Sequence, residues 1–264
     1  MRIVPWCMAL ALCAELAHAR PDGASRQEGA IYSGEGSVLT VTLTAERPAY
    51  YVGEPVRLML VVRNESEKPL AGFFAAVRGK AAIHWRRPGG SFARWIARAK
   101  EGDGRRAGIN IVRTPVVLEA NQEQTSRLTV ATHGDGRVAL EHPGQYEFKV
   151  ITHPAPRNPD LAVESNTVVI RVDPVPDSQR QAFAEYAESG LGAIVQSAGW
   201  VAERNPAAVR AAAAFVDRYP HSPYAEEVRK ELVRALRVRV LQNRASKEER
   251  GIYETLKDAE PQGQ

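Results

Sequence analysis

The densest set of residues able to do chemistry lies between positions 78 and 106. Arg78, Lys80, Arg86, Arg87, Arg94, Arg98, Lys100, Arg105 and Arg106 stand there against only Glu101 and Asp103, a net +7 in 29 residues. Trp85, Phe92 and Trp95 are interleaved with them. Guanidinium groups beside exposed indoles bind anionic polymers or protein surfaces through charge and stacking. Trp85, Arg86, Arg87, Arg94, Trp95, Arg98, Arg105 and Arg106 are therefore the candidate binding residues. Ile83-His84-Trp85-Arg86 and Phe92-Ala93-Arg94-Trp95-Ile96 read as two strands of a hairpin around Pro88-Gly89-Gly90. A second reading of the same segment is a solvated hairpin whose tryptophans face the core.

Other chemistry is harder to assemble. No nucleophile elbow, phosphate loop or His-Glu-x-x-His helix is present. Gly102-Asp103-Gly104-Arg105-Arg106-Ala107-Gly108 has the wrong spacing for a dinucleotide fingerprint and reads as a loop. His142 and His153 flank one expected strand and would lie up to about 36 Å apart, too far to share an ion. His133, His142 and Asp135 could meet across a loop, but nothing in the spacing fixes their geometry. His221, beside Tyr219-Pro220, reads as a helix-turn residue. No pair of carboxylates is singled out for glycoside cleavage, which needs two roughly 5–10 Å apart. No metal or cofactor is implied. Asn64-Glu65-Ser66 matches a glycosylation sequon and reads more simply as the turn after a strand.

The address of the chain comes from its first residues. Arg2 is followed by an apolar run, Ile3 to Ala14, and then by Ala17-His18-Ala19, the pattern of a cleaved secretory signal over 1–19. The apolar run is too short for a spanning helix, which needs roughly 20 residues. Cys13 would be the acylated residue of a lipoprotein, but Leu12 fits poorly before it. Both cysteines, Cys7 and Cys13, fall in this segment, so a chain starting at Arg20 has no disulfide, thiol nucleophile or thiolate ligand. Export to the periplasm or beyond argues against nucleic acid as the partner of the basic segment. The formal charge of the whole chain is only +4, so the rest of the exported chain carries −3.

Two unlike textures follow. Residues 20–36 are polar and glycine-rich and read as a flexible lead. Over 37–173 the period is two: Leu39, Val41 and Leu43; then Val56, Leu58, Leu60 and Val62, with Arg57 and Arg63 on the opposite face. Leu128 and Val130 mark another strand, Tyr146, Phe148 and Val150 a fourth, and Val168, Ile170 and Val172 a last one. Gly and Pro turns between them predict an all-β antiparallel sandwich. Asp173-Pro174-Val175-Pro176-Asp177 reads as a stiff linker over 174–177, with Asp177 or Ser178 as a helix cap. The spacing then predicts helices over 178–188, 191–203, 206–218, 223–243 and 246–258, a separate α-helical domain with a tail over 259–264. Asn205-Pro206 and Ser222-Pro223 supply cap and first-turn proline. Ala182-Phe183-Ala184-Glu185-Tyr186 is echoed by Ala214-Phe215-Val216-Asp217-Arg218-Tyr219, at an offset close to that of helical-hairpin repeats.

These stretches carry two resemblances. Arg47-Pro48-Ala49-Tyr50-Tyr51-Val52-Gly53-Glu54-Pro55-Val56, followed by Arg63-Asn64-Glu65-Ser66, resembles the opening of bacterial immunoglobulin-like domains. It is also similar to macroglobulin-type and proteinase-inhibitor-type sandwich domains. Leu140-Glu141-His142-Pro143-Gly144-Gln145-Tyr146-Glu147-Phe148 resembles their penultimate hairpin, and Ser165-Asn166-Thr167-Val168 their last strand. The thioester sequence of whole macroglobulins is absent, and no inhibitory loop is matched. Phe215-Val216-Asp217-Arg218-Tyr219-Pro220-His221-Ser222-Pro223-Tyr224-Ala225 resembles the junction of tetratricopeptide-type repeats, which implies protein binding. The resulting expectation is an exported, non-catalytic binding or scaffolding protein of the cell envelope, meeting a protein or an anionic polymer. A proteinase-inhibitor-like module and a secreted hydrolase are the alternatives, with a plain envelope spacer as a third.

Overall fold

The structure is a computed structural model that describes residues 39–72, 81–95, 116–133, 137–152, 162–197 and 205–257. The signal segment, the lead, the glycine-rich loop over 102–108 and the tail lie outside the described residues.

Alternation builds the first sheet. In β1 (Leu39–Ala45) and β3 (Val56–Asn64), leucines and valines at every second position are buried while Thr40, Thr42 and Thr44 are exposed. β3 pairs antiparallel with β1 on one side and with β8 (Glu123–Val130) on the other. The facing sheet runs in the order β2 (Ala49–Tyr51), β11 (Val168–Asp173), β9 (Gly144–Thr152), β5 (Ala81–Arg86), β6 (Ala93–Arg94), with β10 (Val163–Glu164) also on β9. A short pair, β4 (Leu70–Gly72) with β7 (Val116–Leu118), completes the described strands. Leu43, Leu58 and Leu60 from one sheet and Phe148, Val150 and Ile170 from the other share one apolar core, which makes the unit a two-sheet sandwich.

The expected all-antiparallel arrangement needs one correction. β2 runs parallel to β11, with Tyr50 opposite Val172. After β1 the chain passes Pro48, which has no N–H to give a ladder, and its carbonyl instead accepts from Arg171 N at 2.9 Å. The strand thus leaves one sheet and joins the other without reversing direction.

The second texture is helical as expected. A 3-10 turn, Asp177–Gln179, leads into α1 (Arg180–Glu188), followed by α2 (Gly192–Gln196), α3 (Pro206–Arg218), α4 (Pro223–Leu241) and α5 (Lys247–Lys257). Neither Asp177 nor Ser178 caps α1: Gln179 takes the cap position, without a side-chain bond. Asn205 does cap α3, its Oδ1 accepting from Ala207 N and Ala208 N at 3.1 and 3.3 Å. Ser222 stands at the cap position of α4, but its hydroxyl makes no such bond. α4 is the hub, buried through Tyr224, Val228, Leu232 and Leu236 among residues of the other helices.

α5 begins with a reciprocal cap. Glu249 N donates to Ser246 Oγ at 3.1 Å, and Glu249 Oε2 accepts from Ser246 N at 2.7 Å and from Arg239 Nη2 at 3.0 Å. Burial works against the Glu249 charge, but the Ser246 N–H and Arg239 outweigh it and hold the carboxyl below its ordinary range. A depressed carboxylate stabilises above its unfolded pKa and loses that contribution as pH falls through the folded value. We expect Glu249→Gln to cost about 1–2 kcal/mol at pH 7 and much less at pH 3, where the native side chain is protonated too. Urea unfolding at both pH values checks this; an equal cost at each would remove the charge from the account.

The two textures are in direct contact. Tyr224 donates to the carbonyl of Val52 at 2.8 Å. Phe183 packs against the cores of both halves. Gln196 bridges α2 to β8, and a Cβ on Gly192 would meet Thr132 Cγ2 at 2.6 Å, so the backbones approach too closely there for a side chain.

Candidate functional site

The hairpin expected around Pro88-Gly89-Gly90 is β5 and β6, with His84 opposite Arg94 and Trp85 opposite Ala93. Its alternation sorts the candidate residues onto two faces. Trp85 lies opposite Phe148 on β9 and packs against the sandwich core, its ring 5.7 Å from that of Tyr146 and 6.2 Å from that of His133. Trp95 is in the core, 7% exposed, with its indole N–H lacking a partner. Trp95 offers no exposed stacking face, and Trp85 is half-buried with its ring turned to the core; both pack behind the hairpin.

Arg86 and Arg94 face outward, and Arg87 lies past the end of β5. Arg86 forms an ion pair with Glu147 at 2.7 Å, and its guanidinium sits 4.3 Å from the centre of the Phe92 ring. Lys149, on the neighbouring strand, lies 4.8 Å from the same ring centre and pairs with Glu164 at 2.7 Å. Arg87 is exposed, donates to the Tyr146 hydroxyl at 3.2 Å and lies over that ring. Arg94 is exposed and has no carboxylate within ion-pair distance among the described residues. Partial burial, with Lys149 and Arg94 beside it, lowers the His84 pKa, so the ring is neutral at pH 7. The structure therefore places Arg86 and Arg94 on one face with Lys149 and Phe92, leaves Arg87 at the hairpin's end beside Tyr146, and turns Trp85 and Trp95 inward. Arg98, Arg105 and Arg106 lie outside the described residues.

A second polar cluster had no warning in the local pattern. Arg57 projects from the outer face of β3, where period two places it in solvent. α4 covers it: Arg57 Nη2 lies 2.6 Å from Glu227, Nη1 lies 2.8 Å from Glu231 and donates to Thr129 Oγ1 at 3.1 Å. Glu227 and Glu231 are 5% and 3% exposed. Burial alone would lower the Arg57 pKa; the two carboxylates more than reverse this and raise it. Nearby, Glu54 is buried, pairs with Arg47 and accepts from Tyr51 N at 2.9 Å. The cleft between them, lined by Glu46, Arg47, Arg57, Glu226, Glu227 and Lys230, encloses about 110 Å³, room for a few water-sized groups.

Asn64 of the sequon is fully buried. Its amide donates to the carbonyls of Lys68, Leu118 and Glu119 at 2.8–3.0 Å, and its Oδ1 accepts from Ser66 N and Ser66 Oγ. It serves as a turn lock, not a glycan acceptor. Among the described residues, no three His, Cys, Asp or Glu side chains could hold a metal ion together.

No protein-family profile matches the chain, and no curated protein matches its sequence. Solved structures resemble parts of it loosely. A β-glucosidase from Erythrobacter marinus matches 51% of the chain at 19% identity and TM-score 0.30, the match spanning 15% of that enzyme. An alkylpurine DNA glycosylase from Pseudomonas fluorescens, bound to DNA containing an abasic site analogue, matches 53% at 10% identity and TM-score 0.32, spanning 32% of that protein. A CARDB domain from Pyrococcus furiosus, in complex with di-metal ions, matches 52% at 11% identity and TM-score 0.28, spanning 94% of the domain. No helix among the described residues is long and apolar enough to cross a membrane.

Proposed function

We infer that the chain is an exported, non-catalytic binding protein of the cell envelope, and that the outer face of the β5–β6 hairpin meets an anionic polymer. The supporting observation is the arrangement around Phe92. Arg86 and Lys149 lie on its ring, Arg94 extends the cationic surface, Arg87 adds charge at the end of the hairpin, and buried Trp95 and half-buried Trp85 pack beneath it. Cations fixed by ring contacts lose less freedom on meeting an anion than free surface side chains do. The sequence continues the charge through Arg98, Arg105 and Arg106. An immunoglobulin-like reading of the sandwich is supported by strand order: the first, second and fourth long strands form one sheet (β1-β3-β8), and the others the second (β11-β9-β5). The repeat-like helical hairpins belong to the same proposal.

The test has two parts. Expressed in a bacterium, the chain should be recovered outside the cytoplasm with Arg20 as its first residue, read by mass spectrometry of the intact protein. That material should bind a fluorescent polyphosphate at low salt and release it near 1 M salt. Arg87→Ala with Arg94→Ala should weaken binding on the order of tenfold at low salt and leave thermal stability unchanged. Salt-independent binding, or binding that ignores both substitutions, would remove the hairpin as the site.

A further inference from the structure

We propose that the chain forms a two-fold homodimer by pairing the free edge of β8 with the same edge of a second copy. The edge is defined by the ladder. Asn64 N donates to Gln122 O at 2.9 Å, so residues 122, 124, 126, 128 and 130 turn their backbone groups toward β3. Glu123, Thr125, Arg127 and Thr129 turn theirs away from it. At one end this edge is covered by a side chain imitating a strand: Gln196 Nε2 donates to Thr129 O at 2.8 Å, and its Oε1 accepts from Ala131 N at 2.8 Å. The opposite edge of the sheet has the same treatment, since Asn166 Oδ1 accepts from Leu43 N at 2.7 Å and its Nδ2 donates to Leu43 O at 3.0 Å. Between Glu123 and Arg127 the β8 edge carries no such cover among the described residues. An uncovered edge is a template for another strand.

The side chains say which strand fits. In an antiparallel pair centred on Thr125, Glu123 falls opposite Arg127 of the second copy, and Arg127 opposite its Glu123. Both side chains are exposed, and neither makes an ion pair among the described residues. Opposite charges in such cross-strand positions favour pairing. On the inward side Gln124 falls opposite Ser126 of the second copy. Gln124 Oε1 is buried and has no hydrogen-bond partner, and that serine hydroxyl would supply one. The patch is thus complementary to itself, as an isologous interface must be. A contact of one short edge buries less surface than a permanent dimer needs, so the association is concentration-dependent.

Sedimentation velocity on the chain, as the expressing cell processes it, tests this between about 10 µM and 1 mM. We expect a monomer–dimer equilibrium. Arg127→Glu and Glu123→Arg should each weaken it on the order of tenfold, because like charges then face each other twice. An equimolar mixture of the two variants should associate again as a heterodimer, and the double variant E123R with R127E should restore the homodimer. Thr125→Pro removes an N–H that points away from β3 and should abolish the dimer while keeping the strand signal in circular dichroism. A chain that stays monomeric throughout, or a dimer insensitive to the charge reversals, would overturn the proposal.

Discussion

Replacing Gly53 with valine should destabilise the protein by about 2–5 kcal/mol, the largest effect we expect from a single added side chain. Gly53 is the third residue of a tight turn in which Glu54 N donates to Tyr51 O at 3.0 Å, and its φ is +74°. A turn of this kind needs a positive φ at that position, where β-branched residues are strained. The second term is steric. A Cβ built on Gly53 falls 2.4 Å from Cε2 of Phe183, the residue that packs against both apolar cores. The ring cannot move aside freely, because Tyr224 lies 5.5 Å from it and is itself tied to Val52 O. Thermal unfolding of Gly53→Val, Phe183→Ala and the double variant separates the two terms. The turn strain persists in the double variant and the overlap disappears, so the two costs should fall short of additive by more than 1 kcal/mol. Strict additivity would show that the close approach to Phe183 does not matter.

The second large effect concerns Arg57. Arg57→Ala leaves buried Glu227 with Lys230 alone, at 3.1 Å, and buried Glu231 with only Arg234, at 3.9 Å; breaking a buried pair in this way typically costs about 3–5 kcal/mol, and the remaining cations put this case at the low end. The cluster itself is a poor stabiliser, because desolvating three charges consumes most of what their attraction returns. Replacing Arg57, Glu227 and Glu231 together with Met, Leu and Met should therefore recover most of the loss. Denaturant unfolding followed by tryptophan fluorescence and by far-ultraviolet circular dichroism distinguishes the outcomes. Trp85 and Trp95 lie in the sandwich and no tryptophan lies in the helical segment 205–257, so fluorescence favours the sandwich and dichroism near 222 nm the helices. We expect coincident transitions in the native chain and separated ones in Arg57→Ala, since the arginine joins β3 to α4. Coincident transitions in Arg57→Ala, at unchanged stability, would mean that the halves are held by their apolar contacts alone.

The sequence by itself determined the elements. Apolar residues at every second position placed the cores of β1, β3, β9 and β11, because burial on one face of a strand has that period whatever the partner. Asn205-Pro206 marked the start of α3 because cap and first-turn proline act within a few residues. The Ser246-to-Glu249 cap was equally local, written as Ser-x-x-Glu, and could have been read in the same way. For the hairpin, the sequence determined the two strands and their charge, and left open which way the tryptophans turn. Only the tertiary structure decided that Trp95 belongs to the core, and that Phe92 and Lys149 share the cationic face.

Arg57 and Glu231 show the limit most clearly. Period two puts Arg57 on an outer face, and helical spacing puts Glu231 beside an apolar stripe, so each reads as solvated by itself. They bury one another because α4, some 170 residues later, lies across β3. The parallel register of β2 and the side-chain covers at Leu43 and Thr129 are of the same kind. Local patterns record which face of an element avoids water. They do not record which distant element covers it, and contacts between residues so far apart in the chain are fixed only when the whole core closes.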